Sequence, residues 1–172
     1  MFVCIEGSCE EYLTPLYANA TYSKGLNVKA LEGQNLLFQN LLPGLFRSVF
    51  KSYVLNTGMV RVHRTLSGFE VMQSYLDRED GGAGYLKLFD LDFLVLYLVG
   101  DPNNREYSAV LCSLLEGRKS RGRNTWVYAG GDVKSEWFRG LYGVGLSDYL
   151  SGVGGRGGDF KELKLTDTGG GK

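Results

Sequence analysis

Phe89-Asp90-Leu91-Asp92-Phe93-Leu94-Val95-Leu96-Tyr97-Leu98-Val99-Gly100, followed after a helical stretch by Asn124-Thr125-Trp126-Val127-Tyr128, is the part of this sequence that decides the fold. From Phe93 to Val99 no residue is polar beyond the Tyr97 hydroxyl. A strand with one face in water alternates apolar and polar side chains. A strand buried on both faces reads as an unbroken apolar run, the pattern of parallel sheets covered by helices. Between the two runs, residues 104–118 place Tyr107, Val110, Leu111, Leu114 and Leu115 on one helical face. The unit is therefore strand, helix, strand.

Outward from this unit, the runs 35–38, 59–63 and 160–165 also read as strands, which with 93–98 and 125–129 makes five. Helical spacing recurs between most of them. Residues 45–55 carry Leu45, Phe46, Val49, Phe50 and Tyr53. Residues 67–76 open with Ser67-Gly68-Phe69-Glu70, a capping-box pattern, and continue with Val71, Met72, Tyr75 and Leu76. Residues 134–142 and 146–150 form a last helical pair. Strands alternating with helices of this length predict a three-layer α/β domain with a mainly parallel sheet. Residues 78–84 and 152–158 read as glycine-rich loops. Residues 1–165 are expected to form a single domain, and residues 166–172 a flexible Gly-rich tail.

Bulk properties narrow the function classes. The 172 residues, 44% hydrophobic and 13% aromatic, suit one packed domain. With 19 basic and 19 acidic side chains the net charge is zero, which removes bulk electrostatics as a reason to bind nucleic acid. The three cysteines, Cys4, Cys9 and Cys112, suggest neither a disulfide framework nor a four-ligand zinc site. No apolar stretch is long enough to cross a membrane, and no signal or transit pattern opens the chain. A cytoplasmic protein is expected, or one of an organelle matrix if organelle-encoded. Ile5 is the sole isoleucine beside 25 glycines, a sign of biased base composition.

In order and spacing these elements resemble the AAA+ core of bacterial and phage replicative helicase loaders of the DnaC/DnaI type, and the related IstB transposition ATPases. Tyr17-Ala18-Asn19-Ala20-Thr21 is similar to the family's lead-in segment, and Asn35-Leu36-Leu37-Phe38 to the strand before the P-loop. Gly58-Met59-Val60-Arg61-Val62 is similar to the second strand, and 93–100 to the Walker B strand. Leu114-Leu115-Glu116-Gly117-Arg118 and Gly122-Arg123-Asn124-Thr125-Trp126-Val127 resemble a helix end, turn and sensor strand. The resemblance covers residues 17–165 and implies a five-stranded P-loop/AAA+ sheet in the order 5-1-4-3-2.

The family's chemistry does not carry over. A P-loop wraps phosphate with glycine backbone N–H groups and adds Lys-Ser/Thr for charge and Mg²⁺. The matching span keeps Pro43 and Gly44 and offers Arg47-Ser48, with Leu41, Leu42, Leu45 and Phe46 filling the cradle. Where Walker B acids would hold Mg²⁺ and orient water stand Tyr97 and Leu98, and neither side chain can serve a metal. Asp101 lies four residues after Tyr97. Tyr128-Ala129-Gly130 occupies the sensor position, and Asp148-Tyr149-Leu150 that of an arginine finger, with Arg139 offset. No ATPase activity, cofactor or metal is expected.

His63, the sole histidine, lacks a Gly-x-Ser-x-Gly partner motif and reads as structural or exposed. Asp77, Glu79 and Asp80 around Arg78 read as a solvated turn, and Arg156 sits in a flexible, slightly basic glycine stretch. The strongest positive signal is Arg118-Lys119-Ser120-Arg121-Gly122-Arg123, where Arg118, Lys119, Arg121 and Arg123 form a compact patch for phosphate backbone. The resulting expectation is a non-catalytic binding protein, a replication accessory contacting a helicase or primosome component and nucleic acid, without membrane association. The alternative is a structural subunit of a large ribonucleoprotein such as an organellar ribosome.

Overall fold

The computed structural model describes residues 33–57, 63–77, 82–100, 102, 105–153 and 160–162. The five strands are β1 (Leu36–Phe38), β2 (His63–Ser67), β3 (Phe93–Leu98), β4 (Asn124–Ala129) and β5 (Lys161–Glu162). The helices are α1 (Pro43–Thr57), α2 (Gly68–Leu76), α3 (Ala83–Lys87), α4 (Arg105–Ser120), α5 (Glu136–Tyr142) and α6 (Val144–Ser151). The strands form one sheet in the order β2-β3-β4-β1-β5, every neighbouring pair parallel. Read from the other edge this is the expected 5-1-4-3-2. None of the helices is long and apolar enough to cross a membrane among the described residues.

Strand alternation divides the core in two. Leu94, Leu96 and Leu98 of β3, with Val127 and Ala129 of β4, turn to one face and meet apolar side chains of α2, α3, α4, α5 and α6. Phe93 and Val95 of β3, Trp126 and Tyr128 of β4, and Leu36 and Phe38 of β1 turn to the other face, where Phe46, Val49, Tyr53 and Val54 of α1 cover them. The three layers are thus unequal, one helix against five among the described residues.

Local chemistry sets the joints. Ser67 ends β2 and also caps α2: its hydroxyl accepts from the Glu70 backbone N–H, and the Glu70 carboxylate accepts from the Ser67 N–H at 2.7 Å. This is the capping box read in the sequence. It fixes β2 at 63–67, four residues later than the expected 59–63; residues 59–62 lie outside the described set. Hydrophobicity does not mark residues 64–67 because β2 is an edge strand, and Arg64, Thr65 and Ser67 need no apolar surroundings. The expected loop 78–84 contains the start of α3, entered through Gly82 at φ 75°. Its Tyr85 is buried and donates to the Val110 carbonyl at 3.0 Å. Gly117 in α4 admits no side chain, because a methyl group there would overlap the Phe89 ring.

Candidate functional site

In this fold a phosphate cradle would lie where β1 passes into α1. The connection is short: Gln39, Asn40, Leu41 and Leu42 separate Phe38 from Pro43. Asn40 takes the left-handed turn at φ 54°. Pro43 has no N–H to offer, and the N–H groups of Leu45 and Phe46 both donate to the Leu42 carbonyl, at 2.9 and 3.2 Å. An anion site at a helix N-terminus depends on N–H groups directed outward. Here those at Leu45 and Phe46 are directed into the turn itself. The loop is also tied sideways to the end of β4. Tyr128 Oη donates to the Leu41 carbonyl at 2.9 Å, and the Val133 N–H donates to Gln39 Oε1 at 2.9 Å.

Phe46 is fully buried. Its ring centroid lies 4.8 Å from Phe38, 4.9 Å from Tyr128, 5.4 Å from Tyr97 and 6.2 Å from Phe50. Tyr97 and Tyr128 approach each other at 5.3 Å. Edge-to-face and offset ring pairs each add about 0.5–1.5 kcal/mol beyond the area they bury. The space beneath α1 is therefore a packed aromatic cluster. Burial pushes the Tyr97 hydroxyl far above its ordinary pKa, against the pull of the nearby Arg47 charge, so it stays a neutral phenol. Burial raises Tyr128 as well, again opposed by Arg47.

The residues assigned to the degenerate nucleotide site do not all converge. Pro43, Gly44 and Arg47 are exposed on the first turns of α1, Ser48 is half-buried, and Tyr97 lies against Phe46. Leu98 belongs to the opposite face, as strand alternation requires, and packs among the five-helix core. Of the four bulky residues expected to fill the cradle, Phe46 is buried among rings, whereas Leu42 turns outward and is 70% exposed. Asp101 lies outside the described residues.

The basic turn needs the larger correction. Arg118 is not a surface cation: it is fully buried. Its guanidinium donates to Thr125 Oγ1 at 2.8 Å and to the carbonyls of Leu88, Leu91 at 2.9 Å and Asn124 at 2.6 Å. Burial, and then the neighbouring Arg123 charge, pull its pKa down to about 10, while Asp92 and Asp90 pull the other way; it is charged at neutral pH. It pins the end of α4 to the turn before β3 and the start of β4. Helical phase could have revealed this, since position 118 follows 107, 111 and 114 on the apolar face of α4.

The remaining cations are partly neutralised. Arg123 pairs with Asp92, and Arg121 pairs with Asp90 at 3.4 Å while lying 4.8 Å over the Phe89 ring. The strand register produces this match: Phe93 sits beside Asn124, so the residues just before each meet. Lys119 is exposed. Trp126 and Tyr128, near the turn in sequence, point into the core.

Arg139 donates to Ser147 Oγ at 3.1 Å and pairs with Asp148 at 3.7 Å, binding α5 to α6. His63 opens β2, and Asp77 is exposed after α2. Cys4, Cys9, the segment 17–21, Arg78, Glu79, Asp80, Arg156 and the tail 166–172 lie outside the described residues. Among the described residues, no group of three or more His, Cys, Asp or Glu side chains is placed to hold a metal ion.

No family profile matches the sequence, and no curated protein matches it either. The architecture does match a solved one. The chain is similar in fold to the protein in "Crystal structure of the DnaC helicase loader", with a TM-score of 0.54 and 12% identity over 96% of this chain and 94% of that one. The fold is therefore of the DnaC-like P-loop/AAA+ type.

Proposed function

We propose that this chain is a non-catalytic AAA+-like binding protein, a replication accessory that contacts a helicase or primosome component. One observation carries the non-catalytic half: Phe46, fully buried, stands with Phe38, Tyr97 and Tyr128 where phosphate and its metal would have to lie. Phosphoryl transfer relies on positioned charges around the transferring group. A cluster of neutral rings supplies none. The replication half is supported by the likeness in fold to a protein described as a helicase loader. Nucleic-acid contact, if made through the turn, falls to Lys119, Arg121 and Arg123, with Arg118 withdrawn into the core.

Heating the full chain with and without millimolar Mg-ATP tests the first half. A ligand that binds only the folded state raises the apparent melting temperature, and no shift is expected. A rise of several degrees would overturn the reading that rings fill the nucleotide site, and phosphate released from that bound ATP would overturn the non-catalytic reading. Pull-down of the tagged chain, with and without nuclease, tests the second half. A helicase or primase recovered after nuclease treatment is the expected result. Recovery of many ribosomal proteins, lost on RNA digestion, would replace it with the ribonucleoprotein-subunit reading.

A further inference from the structure

At the C-terminal edge of β3 and β4, away from the basic turn, lies a half-exposed indole. Trp137 is 48% exposed, whereas Trp126, the other of the chain's two tryptophans, is fully buried. One side of the Trp137 ring lies along the backbone of Gly130 and Gly131. A methyl group built at Gly130 would sit 3.4 Å from Trp137 and 3.3 Å from Val99 Cγ1, and one at Gly131 would sit 3.7 Å from the indole. Val99, 56% exposed, continues the same apolar strip. The turn carrying the indole also carries two exposed carboxylates, Asp132 and Glu136. No ion pair between described residues uses either of them. Asp132 accepts from the Lys134 backbone N–H at 2.8 Å, which holds the turn while one carboxylate oxygen remains for another donor. Lys134 is the one cation of this turn.

We infer that Trp137, with Asp132 and Glu136, forms a docking surface for an arginine-bearing segment of a partner protein. Charge complementarity chooses the occupant. A guanidinium stacks its plane on an indole face and directs its N–H donors at carboxylates, and the pairing of cation with Trp is the strongest of its class. The same carboxylates repel a phosphate backbone, so a nucleic-acid strand stacking on Trp137 is disfavoured. The surface rests on the binding-protein reading above and gives that reading a recognised chemistry.

Titration of a hexa-arginine peptide into the full chain tests it, followed by tryptophan emission and by calorimetry. A saturable change in Trp137 emission is expected, weakened by added salt. Trp137→Leu keeps an apolar contact on the glycines and should lower affinity about 3- to 30-fold in the calorimeter. Asp132→Asn keeps the acceptor for the Lys134 N–H, so the turn survives; it and Glu136→Gln should each cost about 2- to 5-fold. Wild-type affinity in Trp137→Leu, or equal binding of a hexa-glutamate peptide or oligo-dT, would overturn the assignment. A silent peptide titration would remove this surface alone, whereas a pull-down that recovers no partner protein would remove the binding-protein reading beneath it.

Discussion

Two faces of one sheet are packed by different means. On one, Leu94, Leu96, Leu98, Val127 and Ala129 meet five helices that also pack on one another. On the other, Phe38, Phe93, Trp126 and Tyr128 meet, among the described residues, α1 alone, through Phe46, Phe50 and Tyr53. A face with many helices can be built from aliphatic side chains, because each helix is held by its neighbours as well as by the sheet. Among the described residues α1 has only the sheet. Here it is held by large rings, each with more area and a directional preference. The ring cluster extends to the ends of β3 and β4, where Tyr97 and Tyr128 meet Phe46 and Tyr128 reaches the loop before α1.

That contrast is broken most severely by truncating one ring and one aliphatic side chain of equal burial. Phe46→Ala should cost about 4 kcal/mol and Leu111→Ala about 3 kcal/mol, read as shifts in denaturant midpoint. Hydrogen exchange separates them further. With Phe46 truncated, amides of α1 should exchange by opening of that helix alone, ahead of global unfolding. With Leu111 truncated, protection should fall evenly across β3, β4 and α4. Unchanged relative protection of α1 in Phe46→Ala would mean that the lone helix is held by something other than its rings.

Arg118 sharpens the same comparison from the aliphatic side, because it is the charge buried at the end of that face. If apolar packing were all that mattered there, Arg118→Met would be tolerated. The four acceptors it serves predict otherwise: the Thr125 hydroxyl and the carbonyls of Leu88, Leu91 and Asn124 would be left with lost partners. A buried acceptor left unsatisfied costs about 1–3 kcal/mol. The loss expected for Arg118→Met is about 3 kcal/mol, with nucleic-acid binding no weaker than the stability change explains. A stable variant with lost binding would return Arg118 to the surface patch.

The residues differ in how legible they were. The unbroken run from Phe93 to Leu98 fixed the central strand to the residue, and Ser67 with Glu70 fixed the start of α2. These signals are local: burial on both faces and a capping geometry need no knowledge of the rest of the chain. Phe46 was legible as a core residue from its place on the apolar face of α1. The edge strand β2 was less so, because half of its environment is water and apolar content stops marking the strand. The fate of the basic turn was hardest. Four cations in six residues look like a patch until the register sets Asp92 beside Arg123, and that register is a property of the assembled sheet. Arg118 alone carried an early warning in its helical phase.

A smaller effect tests how the aromatic face closes the loop above it. Tyr128→Phe keeps the ring against Phe46 and Tyr97 and removes only the hydrogen bond to the Leu41 carbonyl. It should cost about 1 kcal/mol, with faster exchange confined to residues 39–42. Loss of more than that, or exchange spreading into β4, would show that the loop and the ring cluster are one unit rather than two.

The smallest effect distinguishes the faces by pH. Burial pushes the Cys112 thiol on α4 up to about 11 from an ordinary 9.0, opposed by a hydrogen bond with Ser108 and reinforced by Glu116. The folded chain keeps this proton between those values, where the unfolded chain releases it. The contribution is therefore intact below about pH 9 and is lost as the pH climbs toward 11. The buried hydroxyls of Tyr97 and Tyr128 across the sheet, and of Tyr85 on the Cys112 side, are raised above an ordinary 10.0 by the same cause, so their loss begins later. Arg118, lowered to about 10, acts with the opposite sign and mainly above that pH. Denaturant midpoints measured from pH 8 upward should fall first through Cys112. Cys112→Ala should flatten the limb just above pH 9 and leave the tyrosine limb in place, while Tyr97→Phe should do the reverse. A Cys112→Ala profile that falls in parallel with the wild type from pH 9 would show that the thiol reaches water and that the five-helix face is looser around α4 than its burial indicates.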